Sequence, residues 1–321
     1  MAQAMTTPDA PPARTDPQPP RLRTRRRRPA PYLLLVPALG TLALGLGYPL
    51  VRQVVMSFQE FGLAQQFGTA DPEWIGLDNY ADVLTDATTW AVVARSLAFC
   101  LAAATLTMLL GTVVALLMRQ LSTAPRIVLQ VSMLAAWASP LVASLTVWNW
   151  LFDSRYGIVN WFLVTLGFEG MDGYSWLANP WTFFLVAGVI VVWMSVPFVA
   201  FSLYAALTQV PEETIEAAQL DGATRTQRFR FIVVPTIRPV LSIVMLLQIV
   251  WDLRLFAQIK YLQNAGGTVS ETNLLGTYLY QLGVAQSEYG VASAVAMLML
   301  LLTLGLTFGY VRSLLREERT A

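Results

Sequence analysis

The chain has 321 residues, 55% hydrophobic and 13% charged, with a formal net charge of +1. A soluble domain carries about 25% charged residues, so this composition points to an integral membrane protein. With no His, one Cys (Cys100) and one Lys (Lys260), most catalytic and metal-binding chemistry is excluded, and so is an intrachain disulfide.

Residues 1–31 are dense in Pro and Arg, have little to bury and are expected to form a disordered basic tail. The tail ends in Arg21, Arg23 and Arg25–Arg28, directly before the first apolar run. The positive-inside rule therefore puts this end in the cytoplasm. A cleaved signal peptide is disfavoured, because the apolar run is too long and no small-residue cleavage site follows it.

A hydrocarbon core of about 30 Å needs roughly 20 helical residues. Runs of suitable length occur at Tyr32–Val51, Ser96–Met118, Ile127–Phe152, Trp181–Leu207 and Gly290–Val311; a sixth, Pro239–Leu262, carries Asp252, Arg254 and Lys260. The expected fold is all-α: an integral membrane domain, 32–316, with six transmembrane helices and a cytoplasmic loop, 209–238, between spans four and five. A short end, 317–321, follows it. This threading leaves only Arg52, Arg95, Arg155, Arg254 and Lys260 of the basic residues outside the inner segments, whereas the outer loops hold acids such as Glu60, Asp71, Asp153 and Glu271. Both termini are then cytoplasmic, with the chain crossing a cell membrane.

In the 209–238 loop, Pro211 suits a helix start, Glu212 and Glu213 favour its positive end, and Gly222 sits where a left-handed residue ends a helix. A short helix is expected over 211–221, with small Ala217 and Ala218 at its middle and Asp221 and Gly222 turning the chain. A second segment, Thr224–Val233, is expected to stop at Pro235 as the fifth span begins.

Charges inside a span cost about 2.5–3.5 kcal/mol each on insertion scales, so Asp252 and Arg254 need a reason. At about 100° per residue, Gln248, Trp251, Arg254, Gln258 and Tyr261 share one helix face, with Lys260 opposite. Trp148-Asn149-Trp150 lies near the outer end of the third run, where an interfacial aromatic belt explains it as well as a binding role does. Trp193 reads as ordinary packing. No H-E-x-x-H, G-x-S-x-G or G-x-x-x-x-G-K-[ST] is present. The chain is expected not to be an enzyme and to hold no cofactor, and any ATP, with its Mg, would have to be handled by another polypeptide.

The register Glu216-Ala217-Ala218, Gly222, Ile232 and Pro235 resembles the coupling loop of bacterial ABC-importer permeases: E-A-A, three residues, G, nine residues, I-x-L-P. Val234 replaces the usual Leu. "WIGLDNY", Trp74 to Tyr80, is similar to the F-x-G-L-x-N-Y signature of the carbohydrate branch. "LFAQIKYLQNAGG", Leu255 to Gly267, resembles that branch's F-D-x-I-Y-x-L-T-G-G segment, departing from it at Ala257, Lys260 and Gln263-Asn264. The likeness runs from about Tyr32 to Arg316, is closest to maltose and glycerol-phosphate permeases, and leaves the substrate subtype open.

This resemblance implies one half of the translocation pathway of an ATP-driven, binding-protein-dependent sugar importer, with an oligosaccharide the best estimate of its cargo. Glu216, Ala217, Ala218, Asp221, Gly222, Ile232 and Pro235 would couple the chain to an ATPase. Gln248, Trp251, Asp252, Arg254, Gln258 and Tyr261, with Trp148 and Asn149 secondary, would line the substrate pathway, aromatic rings stacking on the sugar and polar groups replacing its water. Implied partners are a second, related permease (a heterodimer), two cytoplasmic ATPase subunits, an extracytoplasmic sugar-binding protein and the lipid bilayer; no nucleic acid is expected. Competing readings are an importer for another small solute, or a secondary carrier, which would need titratable midplane groups and inverted repeats. For the loop, the alternative is a helix on the inner leaflet held by Arg225, Arg228 and Arg230. For the fifth-run stripe, it is a polar face packed on the partner permease, Arg254 paired with an acid there.

Overall fold

The computed structural model describes residues 30–318. Nearly all of the expected basic tail, including Arg21–Arg28, and the last three residues lie outside the described residues.

The chain divides into two compact units, Met1–Leu50 and Val51–Ala321. In the first, α1 (Ala30–Leu42) passes through a π-helical turn, Ala43–Gly47, into the start of α2 (Tyr48–Met56). Thr41 donates its hydroxyl to the Pro37 carbonyl (2.9 Å). The apolar stretch Leu35–Met56 is long enough to cross a bilayer.

The second unit begins within α2. A two-stranded antiparallel pair, β1 (Gln59–Glu60) and β2 (Glu73–Trp74), brackets α3 (Leu63–Gln66) and leads into α4 (Asp78–Thr85). The "WIGLDNY" stretch acts here as a latch. The buried Asn79 donates to the carbonyls of Ser57 (3.1 Å) and Gln59 (2.9 Å), and Tyr80 shares a 2.7 Å hydroxyl bond with Ser57.

Three long helices form the centre of this unit: α5 (Ala87–Gln120), α9 (Pro180–Leu207) and α12 (Val234–Leu253). α5 starts at Asp86, which accepts from the Thr88 and Thr89 amides at 3.0 and 2.9 Å. Burial pushes the Asp86 carboxyl up, but these donors outweigh it and hold it below the usual carboxylate range. α5 and α9 approach closely at Gly111, where a Cβ would lie 2.5 Å from Val199 Cγ1. Fully buried Phe183, Ile190, Ile259 and Leu262 fill one core cluster; Ala115, Leu203, Leu207 and Ile237 belong to another.

The third apolar run departs from expectation. It forms α6 (Thr123–Trp137) and α7 (Leu141–Leu151), bent by 100° across a short break. Pro140 is the cause: it lacks an amide donor and drives the preceding Ser139 out of the helical region. α8 (Ile158–Thr165) follows a turn in which Asp153 Oδ1 accepts from the amides of Arg155 and Tyr156, both at 2.8 Å. Those bonds hold the Asp153 carboxyl low. The described residues thus contain five helices long and apolar enough to span, or six if the bent pair counts as one.

The rest of the unit comprises α10 (Glu212–Leu220), α11 (Arg225–Arg228), a π-helical turn Phe229–Val233 that runs into α12, α13 (Ala257–Asn264), α14 (Val269–Thr272), α15 (Leu275–Tyr280) and α16 (Tyr289–Glu318). Pro235 does not stop the segment before it, contrary to the sequence expectation. The helix that opens at Arg225 continues through the π turn and past Pro235 to Leu253. A proline clashes with the carbonyl four residues back, and the wider π turn just ahead of Pro235 relieves that clash.

Candidate functional site

Two regions of the second unit concentrate the candidate residues. In the first, α10 ends in a Schellman motif: the Gly222 amide donates to Gln219 O (3.1 Å) and the Ala223 amide to Ala218 O (2.9 Å). Gly222 has φ +81°, the left-handed value its position predicted. Thr224 then opens α11 with a capping box, its amide donating to Gln227 Oε1 at 2.8 Å.

α10 has two faces. Ile215 and Ala218 are half-buried, and Ile215 packs with Phe229 and Ile232 on the cluster around Leu203 and Ile237. Glu216, Ala217 and Leu220 face outward, Leu220 with 89% exposure. Asp221 and Pro235 are also exposed. Glu216 makes no ion pair among the described residues. Arg228 is instead held by Gln219, donating Nη1 to Oε1 at 2.8 Å.

The second region is the fifth span. α12 ends at Leu253, and Arg254–Phe256 leave the helix before α13 begins. The single continuous stripe expected here is therefore divided. Gly276 permits the break: a Cβ there would sit 2.6 Å from the Leu255 carbonyl oxygen, so only glycine lets α15 pack against it. Non-helical backbone at membrane depth is tolerated where protein or a polar cavity covers it.

Beside the break is a cavity of about 450 Å³. Trp251, Asp252, Arg254 and Gln258 line it from this span, Trp137 from the end of α6, and Ser195 and Phe198 from α9. Trp251 and Phe198 rings meet at 5.0 Å. Arg254 has no ion-pair partner among the described residues.

Gln248, expected on the cavity stripe, is instead fully buried one turn below and donates Nε2 to Asp252 Oδ1 (2.9 Å). Gln248 Oε1 and Asp252 Oδ2 find no hydrogen-bond partner among the described residues. Tyr261 is displaced from the stripe by the break and donates its hydroxyl to Thr146 Oγ1 at 3.1 Å, tying α13 to α7. Lys260 points elsewhere, 5.3 Å from the Tyr280 ring. Trp148 stacks on Phe152 and meets Trp193 edge-on at 5.6 Å; the two tryptophans line a separate apolar cavity of about 560 Å³. Asn149 is half-exposed and lines neither cavity.

Trp137, Ser195 and Phe198 escaped the sequence reading because each sits in an apolar run with no polar periodicity. Trp137's place just before Ser139-Pro140 is the one local sign that it caps a break rather than fills a core.

Residues 107–315 match the model of the "Binding-protein-dependent transport system inner membrane component" family. The chain is 43% identical over 289 residues, 90% of its length and 88% of the relative's, to the diacetylchitobiose uptake system permease protein DasB of Streptomyces coelicolor. It is 30% identical over 285 residues, 88% of its length and 92% of the relative's, to the trehalose/maltose transport system permease protein MalF of Thermococcus litoralis. The fold matches one chain of a bacterial ABC transporter involved in import of the acidic polysaccharide alginate, with a TM-score of 0.74 at 20% identity over 89% of this chain and 95% of that one. The split fifth span and the exposed E-A-A helix thus sit within the matched segment, and the chain belongs to the binding-protein-dependent transport system inner membrane components, the permeases of ABC importers.

Proposed function

We propose that this chain forms one half of the translocation pathway of an ATP-driven, binding-protein-dependent importer of di- or oligosaccharides. The observation that carries the reading is the cavity beside the broken fifth span. Trp251 and Trp137 offer ring faces for the C–H faces of a sugar, while unpaired Arg254 and Gln258 offer hydrogen-bond donors for its hydroxyls. The sugar names of the relatives, above all the 43% identity to a diacetylchitobiose permease, favour this cargo class over other solutes.

In this reading there are six spans, the bent pair α6–α7 counting as the third, and both termini are cytoplasmic. The 209–238 loop is then also cytoplasmic. The outward face of α10, with Glu216, Ala217 and Leu220, docks on an ATPase subunit, and Gly222 with the capped α11 holds it at a fixed angle to α12. Ile215, Ile232 and Phe229 transmit its movement to the core. Two ATPase subunits bind ATP and Mg, a related permease supplies the other half of the pathway, and an extracytoplasmic binding protein delivers the sugar.

Uptake of labelled diacetylchitobiose, maltose and trehalose by a deletion strain complemented with this gene tests the cargo. Transport of none of these sugars, with restored uptake of an amino acid, would reject the sugar assignment. A reporter fused in the Glu60–Asp86 segment should read external and one after Arg316 cytoplasmic; reversed signals would overturn the threading.

A further inference from the structure

Where α5 ends, a pocket of about 320 Å³ opens between it and the α10–α11 loop. Arg119, Arg225 and Arg228 line it together with apolar Leu116, Ile215 and Phe229. Among the described residues, no carboxylate lines this space. Arg228 is half-buried. Its Nη1 is used on Gln219, but its Nε is buried and has no hydrogen-bond partner among the described residues.

Three guanidiniums around one space repel each other, and a buried charged donor without a partner is costly. Both costs are relieved by one anion. Its source follows from the walls and the depth. A free inorganic anion would leave Leu116, Ile215 and Phe229 facing nothing apolar, whereas a glycerophospholipid brings carbon as well as phosphate. α5 spans from Ala87 to Gln120, so Arg119 lies at its membrane boundary, the level of lipid headgroups.

We propose that this pocket binds the phosphodiester of an anionic phospholipid, with Arg119, Arg225 and Arg228 as its cationic partners. The bound lipid pins α11 and the inward face of α10 to the end of α5. The site rests on the membrane-spanning reading of α5 and not on α10 being an ATPase-docking helix.

The test uses the full chain purified with its co-expressed partner subunits and native mass spectrometry after exchange into phosphatidylglycerol or phosphatidylcholine. The wild-type complex should retain phosphatidylglycerol preferentially. Retention should weaken about fivefold for R225Q, an exposed position, and on the order of a hundredfold for R119Q/R225Q/R228Q. If the triple variant fails to assemble, R225Q alone decides. Equal retention of the two lipids by the wild type, or unchanged preference in R225Q, would overturn the proposal. A parallel hydrogen-exchange measurement separates the sources: protection of residues 212–228 should require phosphatidylglycerol nanodiscs. Equal protection by inorganic phosphate in phosphatidylcholine nanodiscs would make this a free-anion site and reject the lipid.

Discussion

Between Pro211 and Arg228 each turn of the chain is fixed by residues inside the segment: a proline before α10, a left-handed glycine after it, and a Thr–Gln capping box opening α11. Between Gln248 and Tyr261 the chain has equally helical sequence, yet the helix opens at Arg254–Phe256, where α15 packs against the Leu255 carbonyl through Gly276. The two segments are neighbours in sequence and opposites in how they are encoded. A polar, exposed loop satisfies its own hydrogen bonds locally, so its signals are local. A buried span chooses its backbone by what packs on it, so its decisive residue lies more than twenty positions away.

Substitutions sharpen this contrast, and the largest effect is expected in the loop. Gly222→Val forces a β-branched residue into φ +81°, costing on the order of 1–2 kcal/mol locally, too little to unfold the bundle. The permease should reach the membrane at normal levels, while substrate-stimulated ATP hydrolysis by the purified complex falls to baseline. Full coupling in this variant would remove the loop from the mechanism.

Next in size is the break itself. Gly276→Ala places a Cβ against the Leu255 carbonyl, an overpacking cost of about 1–3 kcal/mol. A thermal-unfolding measurement on the detergent-solubilised complex should show a lowered midpoint, with uptake reduced as the cavity wall shifts. An unchanged midpoint would mean that the break does not depend on α15.

Arg254→Ala and Gln248→Ala then separate the two halves of the divided stripe. Arg254 lines the cavity without a partner, so its removal should lower uptake about tenfold, the worth of one charge-assisted hydrogen bond, and leave assembly intact. Loss of the assembled complex would instead place Arg254 in an ion pair with a neighbouring subunit. Gln248 is buried on Asp252, so its removal takes the hydrogen bond from the Asp252 carboxyl, leaves a cavity and should cost about 1–3 kcal/mol of stability while uptake per folded complex stays normal. The smallest effect belongs to Lys260→Ala. It loses a half-buried cation–π contact with Tyr280 worth about 1 kcal/mol, and uptake assays should show it near wild type.

Particular residues show where sequence reasoning reached and where it stopped. Gly222 was legible because a left-handed position after a helix leaves a mark in one residue type. Pro140 was visible inside the third run but its consequence was not. A proline in an apolar run either kinks a span or ends it, and the structure shows a 100° bend between α6 and α7 at Pro140. Pro235 shows the reverse error. It reads as a stop, yet the π turn at Phe229–Val233 carries the helix past it. Trp137 and Phe198 carry no periodic signal at all, and they became candidates only when α6, α9 and α12 were seen to enclose one cavity.

By itself the sequence determined that the chain is apolar enough to live in a membrane, which runs are long enough to cross it, and where a charged loop must turn. Hydropathy, chain length and glycine conformation are properties of single residues or short windows, and need no knowledge of neighbours. The tertiary structure alone decided that Arg254, Trp251 and Gln258 face an open cavity while Gln248, six residues before Arg254 on the expected stripe, is sealed beneath it. A helix can be phased from sequence only while it stays a helix. Whether it does depends on a glycine in a distant segment and on the carbonyl that glycine allows to approach.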